Sequence, residues 1–310
     1  MAVLVPNFLR RGTSRKPFPF VVGMNRSGTT LLRMMLDAHP ELTIPPETHF
    51  VPDTIKAAKA EGATPQSVLT AMKEHREWGD FEISDEEMLA RFEALPKLRP
   101  GAAVRSFYEI YAERQGKPRY GEKTPTYVQK MKLIQRAMPE ARFCHVIRDG
   151  RDVALSVLDR TVRDLTAGDV AKRWHKKITK AREDSPQINH YMEIRYEDLI
   201  LDTEPVLRKV CDFFELDWQD ELLTYHERSA DRLQEMARAL PGGGKSKELS
   251  VERRMKTHEM TTKPPSADRV QRWRKQMTEE QRVEFEKVAG DLLAELGYPV
   301  GEPVDAAAAV

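Results

Sequence analysis

Residues Gly23 to Thr30, which read Gly-Met-Asn-Arg-Ser-Gly-Thr-Thr, have the spacing of a phosphate-binding loop. Two glycines separated by four residues let backbone N–H groups curl round an anion. The hydroxyl groups of Ser27, Thr29 and Thr30 add donors, and the N-terminus of a following helix adds a favourable dipole. This segment predicts a nucleotide phosphate site, although a plain glycine–serine turn has the same composition.

The residue after Gly28 is Thr29, where a nucleotide triphosphatase has a lysine. That lysine neutralises the β- and γ-phosphates, so its absence argues against ATP or GTP hydrolysis. Arg26, inside the loop, supplies a cation for a donor that carries a single phosphate linked to a sulfo group. A nucleotide kinase therefore remains only as an alternative.

A second group of anion-binding side chains follows a later apolar run. Arg148 closes the predicted strand 142–148, and Ser156 and Arg160 lie four residues apart on the helix that follows, so they share a face. An arginine fork suits a terminal phosphate dianion. The alternative for Arg148 is an ion pair with a neighbouring aspartate.

Strands that alternate with helices position both groups. They predict an α/β fold with a P-loop-like central parallel β-sheet flanked by helices, and ligands bind at the carboxyl ends of such strands. The predicted strands are 18–23, 142–148 and 191–196, and the predicted helices are 28–38, 203–214 and 278–296.

One domain spans residues 18–298, after an N-terminal extension at 1–17 and before a disordered tail at 299–310. Residues 52–118 form a helical insert, which we assign to the acceptor side by elimination. Its aromatic residues either pack in the core or line an acceptor site. Residues 242–263 are either a mobile lid or a plain linker.

The charges nearly cancel, with 50 Lys and Arg against 49 Asp and Glu. A net charge of +1 gives no general attraction to nucleic acid or to an anionic membrane. No run approaches the ~20 apolar residues of a membrane span, and no secretory signal is evident. Cys144 and Cys211 lie among apolar residues, which favours free thiols and a cytoplasmic location. The oligomeric state is left open.

Two distant motifs resemble those of one enzyme family. Val22–Leu32 resembles the 5'-phosphosulfate-binding loop of sulfotransferases that use PAPS (3'-phosphoadenosine-5'-phosphosulfate). Val146–Asp152 with Ser156 resembles their 3'-phosphate-binding motif. The similarity covers about residues 18–298 and is weakest in the helical insert.

Further segments narrow the resemblance. Leu36–Pro40 followed by Pro46–Thr48 resembles the tyrosylprotein sulfotransferase branch and its bacterial relatives. Gly121–Pro125 and Ile194–Leu199 are typical of the bacterial members. The resemblance implies transfer of a sulfo group from PAPS to a hydroxyl of a small molecule, lipid or glycan, with PAP as the product.

The resemblance also implies roles for single residues. Arg148 and Ser156 would contact the 3'-phosphate, joined in the tyrosylprotein branch by Arg160. Glu47 would be the general base, and Lys123 would reach the reacting centre, where Arg26 is a second cation for the transition state. The simpler alternatives are an exposed loop carboxylate for Glu47 and a surface amine for Lys123.

Three assignments are looser. Lys263 resembles a lysine that closes over the donor, and Tyr196 is either a neighbour of the adenosine or a core aromatic residue. His49 replaces an arginine that reads acidic peptides in the tyrosylprotein branch, so it either contacts the acceptor or lies on the surface. We expect no metal, because the histidines lack metal-ligand spacing. A nucleotide-binding protein without catalysis is the remaining alternative.

Overall fold

The computed structural model describes residues 15–159, 164–242 and 248–305. Its strands are β1 (Phe18–Gly23), β2 (Leu42–Thr43), β3 (Arg119–Tyr120), β4 (Glu122–Lys123), β5 (Ala141–Ile147) and β6 (Tyr191–Arg195). Four of them form a parallel sheet in the order β4-β1-β5-β6, and β2 and β3 form a second parallel pair. Helices pack on both faces of the larger sheet, which confirms the predicted fold class.

Helices lie between the strands along the chain, with a run of four before β3 and a longer run after β6. They are α1 (Thr29–Asp37), α2 (Val51–Lys59), α3 (Pro65–Lys73), α4 (Asp85–Glu93), α5 (Pro100–Arg114), α6 (Met131–Ala137), α7 (Gly150–Leu158), α8 (Ala167–Asp184), α9 (Tyr196–Leu201), α10 (Thr203–Phe214), α11 (His226–Gln234), α12 (Val251–His258), α13 (Trp273–Gln276) and α14 (Glu279–Glu295). None of the helices in the described ranges combines the length and the apolar character needed to cross a bilayer.

Alternation along β1 divides the core between the two faces of the sheet. Phe18, Phe20 and Val22 pack with the helices of the insert, whereas Val21 packs with α1, α9 and α10 on the opposite face. Because all six residues of β1 are buried, the strand reads as one apolar run. The phosphate-binding loop therefore leaves the sheet at its centre, between β4 and β5.

The predicted insert is helical, with α2 to α5 covering much of residues 51–114. Its aromatic residues pack against one another in the core, with all four side chains at least nine-tenths buried. They are Trp78, Phe81, Phe107 and Tyr108. The packing interpretation holds for these four, and the assignment of the insert to the acceptor side stays a prediction.

Two of the differences from the sequence prediction concern helices that follow β5 and β6. Tyr196 begins α9 instead of ending β6, and α8 was not predicted. In residues 299–305 the amides of Gly301 and Val304 donate to glutamates of α14, and the disordered tail stays a prediction. These bonds to side chains carry no local sequence signature. Residues 1–14 and 306–310 lie outside the described part.

Candidate active site

The phosphate-binding loop is closed by Gly28, which has a φ of 98° and precedes α1. This positive φ already disfavours any residue with a Cβ atom. Steric overlap excludes a side chain as well. A Cβ atom on Gly28 would lie 2.2 Å from Cδ2 of Tyr196. The loop therefore packs directly on the aromatic ring that begins α9, which brings Tyr196 to the anion-binding turn.

Ser27 supports the loop from within. Its hydroxyl donates to the carbonyl oxygen of Met24 at 2.7 Å, and its amide donates to the same oxygen at 3.1 Å. Because the side chain is 2% exposed, this hydroxyl holds the turn and does not line a pocket. The prediction that Ser27 binds the donor can therefore apply only to its backbone.

Arg26 joins the loop to the second predicted phosphate motif. Its Nε donates to Oγ of Ser156 at 2.9 Å, and its carbonyl oxygen accepts from Nη1 of Arg148 at 3.3 Å. Its φ of 76° is in the left-handed region, which a non-glycine residue rarely adopts. The structure thus brings Arg26 to two predicted residues, Arg148 and Ser156, that lie 122 and 130 positions further along the chain.

Arg148 lies on the floor of a pocket that we call the tyrosine pocket, after Tyr196 and Tyr225 in its wall. The guanidinium carbon lies 4.3 Å from the ring centroid of Tyr196. Its Nη2 donates to the carbonyl oxygen of Arg269 at 2.7 Å and faces Asp152 at 3.4 Å. Arg148 Nε is buried and donates no hydrogen bond to any described residue.

Two further arginines line this pocket, and neither was predicted from the sequence. Arg269 and Arg272 line it together with Arg148. Burial lowers the pKa of Arg272, and repulsion from Arg269 and Arg148 lowers it further. Cations this close favour an anion between them. Their spacing of three residues was the available signal, but nothing in the sequence linked them to the distant Arg148.

A second pocket, called here the glutamate pocket, lies on the other side of the loop. It is lined by Glu47, His49, Glu77, Asp80, Lys123 and several arginines, among them Arg33, Arg253 and Arg254. Both pockets are lined by Arg26, Thr29 and Thr30. The loop is therefore the partition between them.

Lys123 connects the partition to the glutamate pocket. Its Nζ donates to Oε1 of Glu47 at 2.6 Å and to Oγ1 of Thr30 at 3.3 Å. The residue is 2% exposed, so the surface alternative is wrong. Burial lowers the pKa of Lys123, and the charge of Glu47 opposes this shift.

Glu47 is bound at both oxygens, with His49 Nε2 lying 3.2 Å from Oε2. Its side chain is 25% exposed. Burial raises the pKa of Glu47, but the charge of Lys123 and the hydrogen bond from His49 outweigh burial, so the pKa is lowered. Burial lowers the pKa of His49, but the hydrogen bond and the charge of Glu47 outweigh burial, so the pKa is raised. Glu47 is thus held as a carboxylate between two nitrogen donors.

One predicted residue, Lys263, is not brought to this centre. The side chain of Lys263 is exposed and does not line either pocket, although its carbonyl oxygen accepts from the hydroxyl of Tyr225 at 2.6 Å. Thr261 and Pro264 on either side of it line the tyrosine pocket instead. Arg160 lies outside the described residues, as does part of the predicted lid segment, 243–247.

Relatives of known identity resemble the chain over most of its length. It is 27% identical over 301 residues to a protein-tyrosine sulfotransferase of Drosophila melanogaster, covering 93% of this chain and 53% of that protein. The protein-tyrosine sulfotransferase A of Caenorhabditis elegans is 24% identical over 294 residues, covering 91% and 67%. The chain thus spans about half the length of the fly protein.

Solved structures share the fold. The sulfotransferase domain from the curacin biosynthetic pathway superposes with a TM-score of 0.59 at 19% identity, covering 93% of this chain and 100% of that domain. The sulfotransferase domain of the Synechococcus PCC 7002 olefin synthase gives 0.56 at 20% identity, covering 95% and 100%. Residues 17–220, more than half of the chain, match the model of the sulfotransferase family. This chain therefore belongs to the sulfotransferase family.

Proposed function

We propose that the protein transfers a sulfo group from PAPS to an acceptor hydroxyl, with Glu47 as the general base. One observation carries the proposal: Lys123 bridges Thr30 of the phosphate-binding loop and Glu47. Since the tyrosine and glutamate pockets meet at this loop, a donor in one pocket and an acceptor in the other would react across it. Sulfo transfer needs such a junction of anion site, cation and base.

The tyrosine pocket fits the donor. The backbone of Gly28, Thr29 and Thr30 would hold the 5'-phosphosulfate at the start of α1. Arg148 and Ser156 would bind the 3'-phosphate, which the unpartnered Nε of Arg148 supports. Tyr196 would lie beside the nucleoside, since it lines the same pocket. Lys263 and Arg160 remain proposed donor contacts on the resemblance alone.

In the proposed reaction the oxygen of the acceptor hydroxyl attacks the sulfur atom of PAPS, and Glu47 accepts the proton of that hydroxyl. The bond from sulfur to the bridging phosphate oxygen breaks, and the electron pair stays on the 5'-phosphate of PAP. Arg26 and Lys123 stabilise the negative charge on the sulfo group and the leaving phosphate. The step needs no metal ion. The lowered pKa of Glu47 keeps the carboxylate ionised, as a proton acceptor must be. The contacts with Lys123 and His49 that lower this pKa also make Glu47 a weaker base, so proton transfer would require them to loosen as the acceptor binds.

The acceptor carries a hydroxyl and belongs to the small molecules, lipids or glycans. The arginine in the tyrosylprotein branch is replaced by His49, which weighs against tyrosyl proteins. Buried thiols at Cys144 and Cys211 support a cytoplasmic location as part of the proposal.

Two measurements test the proposal. We expect PAP to raise the melting temperature, and radiolabelled PAPS to transfer label to at least one member of a panel of phenols, lipids and glycans. No melting shift with PAP would refute the nucleotide site. A shift without any transfer would favour a non-catalytic binding protein, and ATP turnover without PAPS would favour the kinase alternative.

A further inference from the structure

The segment that carries Glu47 and His49 contains a strained turn. The amide of Phe50 donates to the carbonyl oxygen of Thr48 at 2.6 Å, and the residue between them, His49, has a φ of 56°. A bond between residues two apart around a positive φ is the pattern of the classic γ-turn, which is rare and strained. Such a conformation persists only where its surroundings hold it in place.

A buried polar cluster lies directly behind this turn. It consists of Thr48, Tyr108, Glu122, Thr124 and Tyr127, none more than 2% exposed, and we call it the Thr48 cluster. Oγ1 of Thr48 donates to Oε2 of Glu122 at 3.1 Å and lies 3.0 Å from the hydroxyl of Tyr127. The amide of Thr48 donates to Oγ1 of Thr124 at 3.1 Å.

The protons in the cluster have a consistent assignment. The hydroxyl of Tyr127 accepts from the amide of Val51 at 3.0 Å, so its own proton is free for Oγ1 of Thr48. Thr48 then donates its single proton to Glu122, which also accepts from the hydroxyl of Tyr108. Burial raises the pKa of Glu122 to about 7, and hydrogen bonds from Thr124, Tyr108 and Thr48 oppose the rise.

Alternation of side chains links the cluster to the proposed reaction centre. Successive residues of a strand point to opposite faces, so in β4 Glu122 and Lys123 face opposite ways. Lys123 binds Glu47, whereas Glu122 binds Thr48. The two residues of β4 thus bind two successive residues of the turn segment, one on the pocket side and one on the core side.

We infer that Thr48 is a positioning residue: through the buried cluster it holds the strained turn that keeps His49 against Glu47. The inference rests on the proposed function for its catalytic consequence. Its structural part, the contact between His49 and Glu47, stands independently of any reaction. Removing the Thr48 hydroxyl frees the turn to relax and leaves Glu47 bound by Lys123 alone.

The first test is a histidine titration by NMR, which needs no acceptor. Thr48→Val removes the hydroxyl but keeps the branched shape, and His49→Gln identifies the resonance. We expect the pKa of His49 to lie above its ordinary value of ~6.5 in the wild type and to return toward it in Thr48→Val. Thr48→Ser retains the hydroxyl and should titrate as the wild type does.

Thr54→Val is the matched control. Thr54 is also buried and its hydroxyl donates to the carbonyl oxygen of Phe50 at 3.0 Å, but among the described residues it forms no hydrogen bond with the cluster. If Thr48→Val titrates as Thr54→Val does, the inference is wrong. Should Thr48→Val not fold, Tyr127→Phe removes the hydroxyl that binds Thr48 and the amide of Val51, and it is judged by the same criterion.

The second test uses transfer kinetics. Misplacing a reacting group by about 1 Å costs on the order of 100-fold, so we expect kcat to fall about 10- to 100-fold in Thr48→Val. The KM for PAPS and the melting shift with PAP should stay unchanged, and Thr48→Ser should recover the rate. A changed KM for PAPS with an unchanged kcat would overturn the positioning role. If the wild type transfers no sulfo group, the proposed function fails while the titration still decides the inference.

Discussion

The tyrosine pocket and the glutamate pocket share one loop but are built in different ways. The first gathers its anion-binding groups at the ends of neighbouring strands, where Arg148 and the loop follow β5 and β1. The glutamate pocket is lined by charged side chains that form ion pairs with residues far away in the sequence. Asp80 in the insert binds Arg254 of α12 at 2.5 Å, 174 residues away.

The difference has a physical origin. A strand end fixes both the position and the direction of the chain, so a short motif there defines a site. A wall of ion pairs is defined only when both partners are in place, because a buried charge without its partner is unfavourable. The tyrosine pocket can therefore be recognised by motif, whereas the glutamate pocket depends on the whole fold. Four predictions sharpen or break this comparison.

The largest effect is expected on the glutamate side. Glu47→Gln removes the proposed base and should lower kcat about 10²- to 10⁴-fold. The melting shift with PAP should persist, since Glu47 does not line the tyrosine pocket. Steady-state kinetics and melting curves measure both. Glu41→Gln, an exposed neighbour, is the control, and equal rates for the two variants would remove Glu47 from the mechanism.

On the tyrosine side, Gly28→Ala should weaken PAP binding about 100-fold, or about 2.7 kcal/mol. The new methyl group would overlap Tyr196 at 2.2 Å and would have to adopt a φ of 98°. Gly62→Ala is the control. It also places a Cβ atom at a positive φ, here 70°, but no atom lies within 4 Å of that Cβ. Calorimetric titration with PAP separates the two. Similar affinities for both variants would contradict the packing of the loop on Tyr196.

Arg148→Lys should weaken PAP binding about tenfold, since lysine keeps the charge but loses the planar fork. The turnover of bound donor should change much less than its affinity. Arg142→Lys, at the opposite end of β5, is the control and should bind PAP normally. A loss of kcat without a loss of affinity would place Arg148 with the reacting centre instead.

The smallest effect concerns pH. The folded-state pKa of His49 is raised, so its pairing with Glu47 stabilises the protein fully below the unfolded pKa of ~6.5. That stabilisation is lost as the pH rises through the folded-state pKa. His49→Gln should therefore lower the melting temperature by about 2–4 °C more in acid than in alkaline buffer. Equal losses at both ends of the pH range would mean that His49 is neutral when folded.

Much of the sheet was predictable from the sequence because its strands are short apolar runs bounded by motifs. β1 has the predicted bounds, β5 begins and ends one residue earlier than predicted, and β6 ends one residue earlier. β4 is only two residues long and lacks a periodic pattern, so Glu122 was not singled out. Arg269 was missed because it acts through its position next to Arg148 in space.

The sequence by itself determined the phosphate-binding loop and the family. A loop of eight successive residues has the same local geometry wherever its flanking strand and helix form. Only the tertiary structure decided that Lys123 reaches Glu47, 76 residues away, and that Thr48 turns inward to Glu122. Those contacts depend on how β4 lies beside β1, and pairing between distant segments is fixed by the packing of the whole core and not by local sequence.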